Sequence, residues 1–213
     1  MKQFDLSLYL VTDSILTKGK SLEYIVEQAV LGGVTMVQLR EKEANTKDFY
    51  NTAIRLKKCL SYYNIPLIIN DRIDIALACD AAGVHIGQND MPCDIARKLL
   101  GPYKIIGLSV DCIEDVKAAN AMDIDYIGIS PIFNTPTKSN TASPFGIEGV
   151  KQAMKLTNHP AITIGGIQNQ NAKEVIQTGV NGIAVVSAII SSEEPQLAAK
   201  ELSNIIKTNR KTL

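Results

Sequence analysis

The chain has no tryptophan, aromatic residues make up 5% of it, and histidine occurs only twice. So small an aromatic share gives little material for stacking single-stranded bases. Two histidines also leave few side chains for acid–base work near neutral pH. None of the four cysteines, Cys59, Cys79, Cys93 and Cys112, forms a Cys-x-x-Cys pair, which removes zinc-ribbon and thioredoxin-like readings. Charge of one sign is not in excess: 22 Lys and Arg face 22 Asp and Glu. Nothing therefore drives sequence-independent binding to nucleic acid, and the basic stretch 207–211 reads as a solvated, frayed end. The apolar run 6–11 stops at Asp13, too short for a signal-peptide core or a membrane span. These absences predict a reduced, soluble, cytoplasmic protein with neither nucleic acid nor membrane as partner.

What the chain does have is 46% hydrophobic residues over 213 positions, enough for a substantial core. Short runs rich in Val, Ile and Leu recur at 6–11, 36–39, 66–69, 84–86, 105–108, 126–129, 161–164 and 183–186. They do not alternate apolar with polar, so they read as strands covered on both faces, as in a parallel sheet. Between them lie helical stripes. Leu22, Ile25, Val26, Ala29 and Val30 share one face, with Gly32-Gly33 as the stop, and Phe49, Ala53, Leu56 and Leu60 share another. Further helices are predicted at 73–78, 93–100, 113–122, 147–156, 172–178 and 196–206. No Ser/Gly-rich linker or low-complexity tract divides the chain, so one domain over 1–213 is expected. Eight strands, each followed by a helix, predict an α/β fold, a (β/α)₈ TIM barrel. An open doubly wound sheet is the structural rival, but no Gly-x-Gly-x-x-Gly follows the first strand.

A parallel barrel gathers its chemistry at the carboxyl ends of its strands, and polar residues cluster there. Gln38, Arg40, Glu41 and Lys42 follow strand two, Asn70 and Asp71 strand three, and Gln88, Asn89 and Asp90 strand four. Ser109 ends strand five, Thr135-Pro136-Thr137-Lys138 follows strand six, Gly165-Gly166 strand seven, and Val186-Ser187 strand eight. Asp71 and Asp90, from adjacent strand ends, can share a hard cation, and two carboxylates with ligand oxygens suit Mg²⁺. Arg40, Lys42 and Lys138 bring three cations to the same face, which with Mg²⁺ suits a diphosphate. The bland alternatives stay open: Asp71 alone also fits a cap for the helix near Ile73, and each cation alone fits a surface ion pair. The loops after strands seven and eight form a second constellation, suited to holding a monophosphate on backbone N–H groups, although Gly-Gly also fits a plain turn. His85 is expected to point into the structure in a hydrogen-bonded role, and His159 to lie in solvent. No nucleophile–histidine–carboxylate set can be placed.

At these residues the sequence resembles thiamine phosphate synthases. The likeness is carried by Leu8-Tyr9-Leu10-Val11-Thr12-Asp13, Val37-Gln38-Leu39-Arg40-Glu41-Lys42 and Ile69-Asn70-Asp71-Arg72. It continues through the segments 83–90 and 107–109, Thr135-Pro136-Thr137-Lys138 and Ile164-Gly165-Gly166-Ile167. The resemblance implies that hydroxymethylpyrimidine diphosphate and a thiazole phosphate are joined to give thiamine phosphate and diphosphate. It implies that Gln38, Leu39, Arg40, Glu41, Lys42, Asn70, Ser109 and Lys138 hold the pyrimidine diphosphate, with Arg40, Lys42, Ser109 and Lys138 catalytic. Asp71 and Asp90 would hold one Mg²⁺ per subunit. Thr135, Pro136, Thr137, Gly166, Val186 and Ser187 would hold the thiazole phosphate.

Diphosphate leaves poorly until Mg²⁺ and cations neutralise it, while an aminopyrimidine can delocalise the charge left on its methylene. A largely dissociative step, then capture by the thiazole nitrogen, needs no protein nucleophile. A carboxylated thiazole would finish by losing CO₂. A thiazole tautomerase-like barrel is the alternative, but it needs no Mg²⁺–diphosphate arm. A phosphosugar isomerase would need an acid–base pair, and a non-catalytic metabolite binder would not need three cations around two carboxylates. Small-molecule substrates are the expected partners, and self-association into a homo-oligomer stays open.

Overall fold

The computed structural model describes residues 4–134 and 143–210. Eight strands form a closed, all-parallel barrel in sequential order: β1 (Leu8–Val11), β2 (Met36–Leu39), β3 (Leu67–Asn70), β4 (Gly83–Ile86), β5 (Ile105–Val110), β6 (Tyr126–Ile129), β7 (Ala161–Ile164) and β8 (Gly182–Val185). β8 closes on β1, with Leu8 opposite Ile183 and Leu10 opposite Val185. The open-sheet rival is therefore excluded. Around the barrel lie α1 (Leu22–Leu31), α2 (Thr46–Tyr62), α3 (Ile73–Ala78), α4 (Cys93–Leu100), α5 (Ile113–Ala119), α6 (Gly146–Leu156), α7 (Asn169–Ile176), α8 (Ser187–Ile190) and α9 (Pro195–Asn209).

Period-two alternation sorts each strand into two layers. Leu8, Leu10, Val37, Leu39, Leu67 and Ile69 pack outward against the helices. Tyr9, Val11, Met36, Ile68, Ile105, Tyr126, Ile162 and Ala184 fill the barrel interior. Continuing that inward phase brings Gln38 and Arg40, Asn70, His85, Ser109 and Asp111 to the carboxyl end of the barrel, where they line a common cavity. A strand that turns Leu39 outward thus turns its immediate neighbours Gln38 and Arg40 inward.

Helix starts are fixed locally. The Tyr24 N–H donates to Ser21 Oγ at 3.2 Å, and the Asp48 N–H to Asn45 Oδ1 at 3.0 Å, satisfying amides that an isolated first turn leaves bare. Two elements exceed the sequence expectation: a single 3₁₀ turn at Ser14–Thr17, held by Asp13 accepting from the Ile15 N–H, and the short α8. Both are one turn long, below the length at which a periodic stripe can show. β1 begins at Leu8 rather than at residue 6, because the Ser7 N–H is taken by the Asp5 carboxylate at 2.8 Å. His159 is not free in solvent as expected; its Nε2 meets the Ala119 carbonyl at 2.9 Å.

Candidate active site

The carboxyl-end cavity has a volume of about 360 Å³. Gln38, Arg40, Lys42, Asn70, Asp71, Asp90, Ser109, Gly166, Val186 and Ser187 all line it. Since the strand order is sequential and closed, β2, β3 and β4 face β6, β7 and β8 across the mouth. The acidic and basic groups thus lie on one wall and the glycine loop with α8 on the other.

On the charged wall, Thr12 is fully buried and its Oγ1 accepts from the Arg40 N–H at 3.0 Å, anchoring the backbone beneath the guanidinium. Asp71 does not cap α3: the cap position is Arg72, which makes no side-chain capping bond. Instead Asp71 turns through the left-handed region at φ 60°, and its Oδ2 lies 2.5 Å from Lys42 Nζ. Asp90 Oδ2 accepts from the Gly87 N–H at 2.7 Å. Burial raises the Asp90 carboxyl above its ordinary value, the Gly87 N–H opposes this, and the facing Asp71 carboxylate pushes it higher again. Two carboxylates so close repel unless a proton or cation sits between them. No group of three or more His, Cys, Asp or Glu gathers among the described residues. The donor set is therefore two carboxylates with open positions, which fits a Mg²⁺ completed by ligand oxygens and water.

On the facing wall, Gly165 and Gly166 both have positive φ, 112° and 68°. A Cβ at Gly166 would come within 2.9 Å of the Asn134 carbonyl oxygen and 3.0 Å of Phe133 Cβ. Its carbonyl accepts from Asn171 Nδ2 at 2.9 Å. Val186 caps α8 and Ser187 begins it, directly after β8, the place where barrels of this kind present backbone N–H groups to phosphate.

Two residues singled out in the sequence are not brought to the lining. The Leu39 side chain is fully buried outward among the helices, as its phase next to inward Gln38 requires. Glu41 is half-buried and turned aside, accepting from Ser14 Oγ. Burial raises its carboxyl above the usual value, against the Ser14 hydrogen bond. Thr135, Pro136, Thr137 and Lys138 lie outside the described residues. Conversely, Tyr9 and Tyr126 escaped the sequence reading. They lie below the mouth and bind Gln38 and His85, and the inward phase of β1 and β6 was the signal that could have found them.

A family model described as thiamine monophosphate synthase matches residues 8–189. The chain belongs to the thiamine monophosphate synthase family. The thiamine-phosphate synthase of Albidiferax ferrireducens is 51% identical over 201 residues, covering 94% of this chain and 92% of that protein. That of Clostridium acetobutylicum is 49% identical over 209 residues, covering 98% and 99%. Among solved structures, the thiamine phosphate pyrophosphorylase of Pyrococcus furiosus superposes with a TM-score of 0.88 at 37% identity, covering 95% of this chain and 96% of that one. Membership of the thiamine monophosphate synthase family agrees with a mouth in which one wall is charged and the facing wall is built of glycine and a helix start. No described helix is long and apolar enough to cross a membrane.

Proposed function

We propose that this mouth joins 4-amino-2-methyl-5-hydroxymethylpyrimidine diphosphate to a thiazole phosphate, releasing diphosphate and forming thiamine phosphate. The observation that carries the reading is the division of one cavity into two facing walls of different chemistry. Arg40 and Lys42 supply the positive charge for a diphosphate on one side. The positive-φ glycines and the start of α8 suit a monophosphate on the other.

Asp71 and Asp90 would hold Mg²⁺, which when bound neutralises charge on the departing diphosphate. Arg40 grips phosphate oxygens in a fixed fork, and Lys42 swings a point charge onto them as negative charge grows. Lys138, which follows strand six in the sequence, would add the third cation, and Thr135, Pro136 and Thr137 would hold the thiazole phosphate. Gln38, Asn70 and Ser109 orient the pyrimidine group. Ile162, Ile164 and Val11 line the same cavity and keep the methylene carbon away from water until the thiazole nitrogen reaches it. Small-molecule substrates are the partners this reading requires, and a homo-oligomer is compatible with it. A balanced net charge argues against nucleic acid. The four cysteines are free, in keeping with a reducing cytoplasm. The test is to incubate the purified protein with both substrates and Mg²⁺. Equal amounts of thiamine phosphate and diphosphate are expected; a folded protein that yields neither overturns the reading.

A further inference from the structure

Beneath the mouth, five polar side chains run in an unbroken line across the barrel interior. Gln38 Nε2 donates to the Tyr9 hydroxyl at 3.0 Å, and that hydroxyl lies 2.9 Å from the Tyr126 hydroxyl. Tyr126 Oη is in turn 2.9 Å from His85 Nδ1, and His85 Nε2 is 2.9 Å from Ser109 Oγ. Both tyrosines are fully buried, and Gln38 and His85 nearly so. The two ends of the line, Gln38 and Ser109, line the cavity from different strands.

The neighbouring strands are shaped around this line. A Cβ at Gly107 would fall 2.1 Å from Tyr126 Cζ and 2.5 Å from His85 Nδ1. One at Gly128 would meet His85 Cε1 at 3.1 Å. Two inward positions thus carry no side chain where the phenol and imidazole pass.

The line has a direction. An amide nitrogen only donates, so Tyr9 accepts from Gln38 and must spend its single proton on Tyr126. Tyr126, already accepting, passes its own proton to His85 Nδ1. Burial keeps both phenols well above the usual tyrosine range, so neither gives up its proton. An accepting Nδ1 fixes the neutral ring as the Nε2–H tautomer, and Nε2 then donates to Ser109 Oγ. The Ser109 proton is left to point away from the ring, toward the mouth. At the other end, Gln38 keeps its carbonyl oxygen for the mouth.

We propose that Tyr9, Tyr126 and His85 are positioning residues that set the polarity of the mouth, fixing Gln38 as an acceptor and Ser109 as a donor toward substrate. This rests on the reading of the mouth as a pyrimidine diphosphate site. An acceptor suits the exocyclic amine of an aminopyrimidine and favours positive charge growing on the ring. A donor suits an anionic diphosphate oxygen, whereas a reversed line would turn the lone pairs of Ser109 against it. Cooperative polarisation along such a chain strengthens the terminal bonds.

Nitrogen-15 NMR of the whole protein tests the direction without substrate. The chain has only two imidazoles, and a His159→Gln variant removes the signals of the other one. His85 is expected with an unprotonated, pyridine-type Nδ1 and a protonated Nε2; a protonated Nδ1 overturns the proposal. In Tyr126→Phe that tautomer preference should be lost. The same variant should lower kcat about tenfold with the KM for thiazole phosphate unchanged, the size of one lost transition-state hydrogen bond. Should Tyr126→Phe not fold, Tyr9→Phe removes the upstream donor instead and should lower kcat in the same way. Folded variants with a lower Tm but wild-type kcat and tautomer would show mere packing and overturn the proposal. A wild-type protein that makes no thiamine phosphate defeats the functional reading alone, because the NMR result stands apart from turnover.

Discussion

Lys42 Nζ lies 2.5 Å from Asp71 Oδ2, across the mouth's charged wall from one strand end to the next. Asp71 reaches this point from a φ of 60°, a conformation that Asp tolerates better than most residues. The ammonium therefore covers the same carboxylate edge that a divalent cation would use. Lys42 is half-exposed, and in the proposed reaction its long stem would let it leave Asp71 for a phosphate oxygen once an ion took its place. One lysine can thus guard the carboxylates and later stabilise the leaving group.

Replacing Lys42 with Met should consequently separate two quantities that usually fall together. Mg²⁺ should bind the substrate-free variant more tightly, because Asp71 no longer has a competing ammonium. Turnover at saturating Mg²⁺ should drop at least about tenfold, since charge on the departing diphosphate loses a partner. Calorimetric Mg²⁺ titration beside steady-state rates checks both. Weaker Mg²⁺ binding in the variant would contradict the competition.

Asp71 and Asp90 should behave as one unit. Asp71→Asn and Asp90→Asn should each raise the Mg²⁺ concentration needed for half-maximal rate. The double variant should lose far less than the product of the single losses, because one site cannot be broken twice. Rates measured against Mg²⁺ for all four folded proteins decide this. Multiplicative losses would assign the two carboxylates separate tasks, and full activity in chelator would remove the metal.

Most of this wall was legible in the sequence because strand phase is legible. Once Leu39 is assigned outward, Gln38 and Arg40 must be inward, and the same step places Asn70 and Ser109. That rule also shows why the Leu39 side chain turns away from the cavity: membership of a contiguous motif does not override alternation. Glu41 was less predictable, since its place depends on Ser14 in a one-turn element with no periodic signature. The helix-cap reading of Asp71 failed on backbone conformation, which a positive φ decides and residue type only biases. The polar line through Tyr9 and Tyr126 was hidden for another reason. Aromatic residues within apolar runs read as core, and only closure of the barrel brings the hydroxyls of the unpaired strands β1 and β6 together across its interior.

At the opposite end of the barrel, Asp80 accepts hydrogen bonds from Lys104 and Lys57, which hold its carboxyl down to about 2, below the usual 3.8. A depressed carboxyl stabilises the fold above its unfolded-state value, and that contribution fades as pH falls from about 4 toward 2. The side chain is largely exposed, so solvent screening should keep the effect under ~1 kcal/mol. Asp80→Asn should therefore lower Tm slightly at pH 7 and converge on the wild type near pH 2. Thermal melts across that range test the sign; a constant gap at every pH would show that charge is not the cause.

Gly166 sits both in the positive-φ turn after β7 and in the cavity lining, and a role in each can be tested separately. At φ 68°, an alanine there carries left-handed strain of about 1–2 kcal/mol. Its Cβ would also press on the Asn134 carbonyl at 2.9 Å and so displace the segment after β6 relative to the glycine turn. Gly179 supplies the control: its φ is 98°, but a Cβ there meets nothing within 4 Å, and it is absent from the cavity lining. Gly179→Ala should lower Tm through strain alone and leave both KM values unchanged. Gly166→Ala should lower Tm further and raise the KM for thiazole phosphate severalfold, with the KM for pyrimidine diphosphate held within about twofold. Melting curves and two-substrate kinetics on both variants make the comparison. Equal behaviour of the two would reduce Gly166 to a turn glycine and move the phosphate cradle to Val186, Ser187 and the start of α8.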